Sequence, residues 1–182
     1  MGSQQLNSGS LGIGKNENLK LNIDKLTKEE LEDKIKEIQR IRIPFFDNAP
    51  LQILSNVVYV TGNSPHHEGL IFKTEKGKIY VAQTYPITFI KVNSYNEAID
   101  KITYFCNLNT YSKNTKIRDV WVPERKNFSV NAMKLFIETL PNKYDLIQEN
   151  CQFFCKEILE AFPLKKLEEE EYKFIIKGSK TV

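Results

Sequence analysis

The chain has 182 residues, of which 41% are hydrophobic and 27% charged, with a formal net charge of +3. This length suits one domain with a full core, and the near-average composition excludes wholesale disorder, collagen and coiled coil. The basic excess is spread out, Lys165-Lys166 being followed at once by Glu168 to Glu171; with neither a basic, aromatic-laced face nor a zinc-finger spacing, nucleic acid is not an expected partner.

The first 22 residues are rich in Gly, Ser, Asn and Gln and lack periodicity, which reads as a disordered leader. Met1-Gly2 exposes a glycine as N-myristoylation requires, but Leu6 stands where that pattern prefers Ser or Thr. Thr27 and Glu30 make a capping box, Leu26 and Leu31 a hydrophobic staple, and Leu31, Ile35, Ile38 and Ile41 one stripe. An N-terminal helix is therefore expected within 23–45, ended by Pro44. Residues 46–178 are read as a single domain.

From 51 to 92 the runs LQILSNVVYVTG, HHEGLIFKT and KIYVAQTYPITFIKV are β-branched and aromatic, separated by turn signals. Glu75-Lys76-Gly77 reads as a three-residue hairpin loop with Gly77 in the left-handed region, joining the second and third runs as antiparallel neighbours. Helical spacing then returns. Ser94 and Glu97 cap a stripe of Tyr95, Ala98, Ile99, Ile102, Phe105 and Cys106; a strand IRDVWVP follows; Ser129 caps Val130, Met133, Phe136, Ile137 and Leu140 up to Pro141. The last strong helix is 151–162. Strands followed by helices indicate an α+β fold, an antiparallel sheet with helices packed on it.

Three cysteines, Cys106, Cys151 and Cys155, are an odd number, which argues against a disulfide framework, and no apolar N-terminal run reads as a signal peptide. No stretch approaches the roughly 20 apolar residues of a membrane helix. The expected location is cytoplasmic, with no transmembrane segment.

Cys151 stands out among them. Asn150 is a good N-cap, and Phe154, Cys155, Ile158, Leu159 and Phe162 continue a stripe that Cys151 begins. Its sulfur should therefore point at whatever the helix packs on. Unpaired N–H groups and the positive end of the helix favour thiolate, and an adjacent imidazolium lowers a cysteine pKa further, into the range of roughly 3.5–7.5. The alternative is a small buried hydrophobe, as expected for Cys106 and Cys155.

The two histidines, His66 and His67, open the strand HHEGLIFKT, so one points to each face. If His67 shares the core-side face with Gly69 and Ile71 it can meet the Cys151 helix, and it is the preferred base, with His66 left open. The hairpin loop pairs residues 74 and 78 and sets Gln83 opposite Gly69, on the His67 face, as a candidate to orient the ring.

These residues resemble a family. His67-Glu68-Gly69-Leu70, a following strand, a helical middle, and then Tyr144-Asp145-Leu146 and Asn150-Cys151-Gln152-Phe153-Phe154 are similar to the circularly permuted NlpC-type, papain-like thiol enzymes. That group includes lecithin:retinol acyltransferase-like phospholipases/acyltransferases and the PPPDE deSUMOylating peptidases. The resemblance implies a cysteine-dependent hydrolase or acyltransferase with Cys151 as nucleophile, His67 as base and Gln83 as third member, needing no cofactor or metal. An oxyanion would sit on the Cys151 N–H, with a Gln148 or Gln152 side chain as second donor. Many of those acyltransferases carry Asn-Cys-Glu-His-Phe and a C-terminal anchor; neither is seen here, which tilts the expected substrate from a lipid ester toward a protein or peptide amide. Tyr85, Pro86 and Phe89 are the residues expected to support any peripheral membrane contact. A binding or scaffold protein with this fold and no catalysis is the remaining alternative.

Overall fold

The computed structural model describes residues 21–44, 66–84, 86–104, 116–141 and 151–171. Its strands are β1 (Asn22–Ile23), β2 (Ile35–Pro44), β3 (His66–Thr74), β4 (Ile79–Gln83), β5 (Thr88–Val92), β6 (Lys116–Pro123) and β7 (Leu164–Lys166). Its helices are α1 (Lys28–Glu32), α2 (Tyr95–Tyr104), α3 (Val130–Thr139) and α4 (Cys151–Glu160). The strands form one sheet in the order β1-β5-β4-β3-β2-β6-β7. β1 runs parallel to β5 and the other pairings are antiparallel, so the sheet is mixed where an antiparallel one was expected.

Local signals place most elements. The Glu75–Gly77 loop closes with Gly77 N–H donating to Thr74 O at 3.1 Å and Thr74 N–H to Lys78 O at 3.0 Å, and Gly77 has φ 78°, a value that suits glycine. Ser94 Oγ accepts from Glu97 N–H at 3.1 Å, while the Glu97 carboxylate reaches back to Asn93 N–H at 2.8 Å rather than to Ser94. Ser129 Oγ accepts from Ala132 N–H at 3.2 Å and starts α3. The run KIYVAQTYPITFIKV is two strands, β4 and β5, split by a turn containing Pro86. The strand expected at 51–62 lies outside the described residues, as do Phe105 and Cys106.

The helix expected over 27–41 is a correction. Its capping box is present, with Glu30 N–H donating to Thr27 Oγ1 at 3.2 Å and Thr27 N–H to Glu30 Oε2 at 2.9 Å. Yet α1 stops at Glu32, where Asp33 turns extended, and residues 35–44 are β2. The physical reason is that β2 lies between β3 and β6 and is buried on both faces. Ile38 joins one core cluster and Ile41 the other, while a bulge between Ile35 and Glu37 returns Ile35 to the side of Ile38. A strand covered on both sides has no polar face, so three-residue spacing in it imitates a helical stripe. The 23–45 segment thus supplies the β1 edge and a central strand of the sheet. Order also begins before the expected end of the leader, since Asn22 pairs with Thr88; residues 1–20 lie outside the described ones.

Helices cover both faces. On one, Leu70, Phe72, Tyr80, Ala82 and Phe89 pack against Val130, Met133 and Ile137 of α3 and Phe154, Cys155, Ile158 and Leu159 of α4. On the other, Ile41, Ile71, Val81 and Val92 pack against Ala98, Ile99 and Ile102 of α2. Phe89 is fully buried, stacked on Tyr80 at 5.5 Å and edge-on to Phe72 at 5.9 Å, which corrects its expected role as an exposed membrane-facing ring; Tyr85 lies outside the described residues.

Gly69 lets α2 approach β3 closely, because a Cβ there would lie 2.9–3.0 Å from Ile102 side-chain carbons. Gly69→Ala is expected to cost about 1–3 kcal/mol through overpacking. Denaturant melts should show that loss, and an Ile102→Val change should recover part of it. An unchanged midpoint for Gly69→Ala would refute the close-packing account.

Candidate active site

Cys151 is the first described residue of α4, on the buried stripe expected of it, and is 3% exposed; its expected N-cap, Asn150, lies outside the described residues. Cys155, one turn on, is fully buried within the apolar cluster beneath α4. Neither forms a disulfide. The backbone N–H groups of Cys151 and Gln152, from the helix start, and of Glu68, from β3, are directed at the Cys151 sulfur and favour its thiolate. The sulfur therefore meets β3 at the residue directly after His67.

His67 and Gln83 come together as the hairpin register requires. Leu70 pairs with Ala82, which leaves Gln83 facing Gly69, one step from His67. His67 Nε2 lies 3.2 Å from Gln83 Oε1, and Gln83 Nε2 donates to the Lys101 carbonyl at 3.2 Å. Both side chains are buried. Lys101 is in the last four described residues of α2.

That chain of bonds assigns the tautomer. A carbonyl only accepts, so the Gln83 amide nitrogen must face Lys101 and its oxygen must face His67; Nε2 then carries the hydrogen, and Nδ1 is the ring nitrogen with the lone pair.

The two faces are arranged differently from the simple expectation. His67 does share a face with Gly69 and Ile71, but α2 covers that face, and α4 buries its stripe against the opposite one with Leu70 and Phe72. Cys151 approaches from the α4 side and reaches β3 at the Glu68 N–H, beyond Leu70, the last β3 residue in register with β4. Gln152 is partly buried in the first turn of α4. The His66 side chain and Gln148, like Asn150, lie outside the described residues.

The expected low thiol pKa is also corrected. Burial pushes the Cys151 thiol up from an ordinary 9.0 to about 11; the three N–H groups oppose this and the Glu68 carboxylate adds to it. Desolvation of the charged form outweighs the helix end, and the resting group is a thiol. Its contribution to stability is present below the unfolded-state value and is lost as pH rises through about 11. Alkylation by iodoacetamide is expected to be slow near neutrality and to rise about tenfold per pH unit into the alkaline range. A fast, flat profile between pH 6 and 8 would reveal a standing thiolate–imidazolium pair and refute this.

Sequence reasoning passed over Arg40, Glu68 and the Lys101 carbonyl. Arg40 falls within the helix expected over 27–41, and Glu68 has no role in the sequence reading beyond its place in the His67-Glu68-Gly69-Leu70 match. Here Glu68 is fully buried and ion-paired with Arg40. Among the described residues, no helix is long and apolar enough to cross a membrane.

No protein-family model, curated protein or solved structure matches the chain.

Proposed function

We propose that this protein is a cysteine-dependent hydrolase or acyltransferase, papain-like and circularly permuted in the NlpC manner, that cleaves an amide or ester through a thioester. The observation that carries this reading is the hydrogen-bonded series His67–Gln83–Lys101 carbonyl, which holds a histidine in one tautomer on the residue adjacent to the Glu68 N–H that meets Cys151. A strand histidine oriented by an amide, one residue from the strand N–H that meets a cysteine in a helix's first turn, supplies the groups that activate a thiol.

His67 Nδ1 takes the Cys151 proton as the sulfur attacks the acyl carbon. Because the resting group is a thiol, proton transfer and attack are coupled. The oxyanion rests on the Cys151 N–H at the α4 N-terminus, with the Gln152 side chain as a second donor. The C–N or C–O bond then breaks, and the imidazolium gives its proton to the leaving amine or alcohol. Water, an amine or a hydroxyl next attacks the thioester, with His67 again as base, and Cys151 is released as thiol. The balance between substrates rests on Phe89: with that ring stacked inside the core, part of the case for a lipid surface is gone, and a protein or peptide amide is preferred.

The high thiol pKa favours a second reading, a scaffold of the same fold without turnover. An activated ester separates the two. With p-nitrophenyl acetate, the enzyme reading expects a burst of about one equivalent of p-nitrophenol per chain and an acetyl adduct on the Cys151 peptide. No burst and no adduct at that peptide overturn it in favour of the scaffold.

A further inference from the structure

A cavity of about 140 Å³ lies between α1 and the β3–β4 hairpin loop, lined by Thr27, Glu29, Glu30, Asp33, Lys76 and Lys78. Backbone bonds from three elements fix its walls. Asp33 caps the end of α1, its N–H donating to the Glu30 carbonyl at 3.3 Å, and its own carbonyl accepts from Val130 N–H of α3 at 3.0 Å. The next residue, Lys34, accepts from Glu75 N–H of the hairpin loop at 2.8 Å. The cavity is separated from the end of β3 that meets Cys151 by the run from Glu68 to Thr74, about 20 Å at the rise of a strand.

Charge decides what suits it. Asp33 is 4% exposed. Its Oδ1 accepts from Lys34 N–H at 2.8 Å, whereas its Oδ2 is buried without a hydrogen-bond partner. A buried carboxylate oxygen in that state is costly, and a donor relieves it. The carboxylate torsion is soft, so a small rotation presents Oδ2 to the cavity. The other two acids are engaged: Glu29 Oε1 accepts from Lys76 Nζ at 2.8 Å, and Glu30 accepts from Thr27 N–H and from Lys91. Lys76 and Lys78 are exposed and form the rim. A metal ion suits this lining poorly, because it takes several oxygen ligands and no three acids, histidines or cysteines among the described residues are placed to hold one.

We propose that this cavity binds a small zwitterion, an α-amino acid, whose ammonium group donates to Asp33 Oδ2 and whose carboxylate faces the Lys76 and Lys78 ammonium groups. An amine alone is repelled by the two lysines, and a carboxylate alone by the three acids; the zwitterion answers both. Nothing in this binding requires a reaction at Cys151.

Glycine titrated into the full ¹⁵N-labelled chain tests it, with methylammonium and acetate as its two halves. The amide signals of Lys34 and Gly77, which flank the cavity, are expected to shift saturably with glycine, and each half to bind more weakly by about tenfold or more. Asp33→Asn retains an acceptor for Lys34 N–H but loses the charge that receives the ammonium; Lys76→Met with Lys78→Met removes the rim charges at exposed positions. Each variant should weaken glycine by about tenfold or more, and the lysine double should leave methylammonium binding no weaker. Absence of a saturable shift with glycine overturns the proposal. So does methylammonium or acetate binding as tightly as glycine, or wild-type glycine affinity in either folded variant; the lysine double decides alone if Asp33→Asn does not fold. No ester enters this titration. A missing ester burst with glycine bound would therefore sink only the enzyme reading, whereas an intact burst without glycine binding would sink only this inference.

Discussion

Replacing Cys151 with Ala is expected to abolish both the p-nitrophenol burst and the acetyl adduct, and His67→Asn to slow acylation by about 10²–10⁴-fold, the usual contribution of a positioned general base. The effect should be large because the burial that pushes the thiol up to about 11 leaves little thiolate at neutral pH; nearly all reactive sulfur depends on proton transfer to the ring. Asparagine at position 67 is of similar size but takes no proton. Gln83→Ala should fall between wild type and His67→Asn, at about ten- to a hundredfold in acylation rate, with KM little changed. It leaves the base present but removes the amide oxygen that keeps hydrogen on Nε2 and the lone pair on Nδ1. Roles that act as a unit do not add, so the Gln83→Ala/His67→Asn double should be no slower than His67→Asn. Wild-type turnover in Cys151→Ala ends the enzyme reading; a Gln83→Ala rate equal to wild type ends the tautomer argument alone.

Arg40→Met is expected to be the most destabilising of the single changes considered, by about 3–5 kcal/mol, since it removes an ion-pair partner of the fully buried Glu68 carboxylate. For a chain of this size that corresponds to a Tm fall of about 10 °C. The Arg40→Met/Glu68→Met double should recover most of the loss, because no uncompensated charge remains. Two independent losses would instead add, and an additive double would show that the pair contributes nothing as a pair. Exposed pairs provide the contrast: Lys28–Glu32, with side chains 90% and 66% exposed, should change stability little when broken.

Where the physics was local, the sequence was legible. The capping residues Thr27, Ser94 and Ser129 lie at helix starts, Gly77 takes the left-handed turn, and the hairpin it closes carries Gln83 to the residue opposite Gly69, within reach of His67. What failed was long-range. Ile35, Ile38 and Ile41 looked like a helical face because nothing in the chain announces that β6, about 75 residues later in sequence, will pair with β2 and that helices will cover both sides. The same absence hid Arg40 as a site neighbour. It also left open which sheet face α4 would take, so the meeting of Cys151 with β3 through the Glu68 N–H was not visible. The thiol pKa went the wrong way for a related reason: a helix end can be read from an N-cap residue, but the desolvation opposing it depends on burial.

The order of the site along the chain has a consequence for biosynthesis. His67 and Gln83 lie on the β3–β4 hairpin, closed by a three-residue loop, whereas the thiol arrives 68 residues after Gln83. Short hairpins form in microseconds, and domains emerge from their N-terminal side. A growing chain is thus expected to hold His67 and its orienting amide before Cys151 is present, and pulse-labelled hydrogen exchange during refolding should show β3 and β4 protected before α4. On the enzyme reading, competence then begins only when α4 docks on the sheet and brings Cys151 to β3.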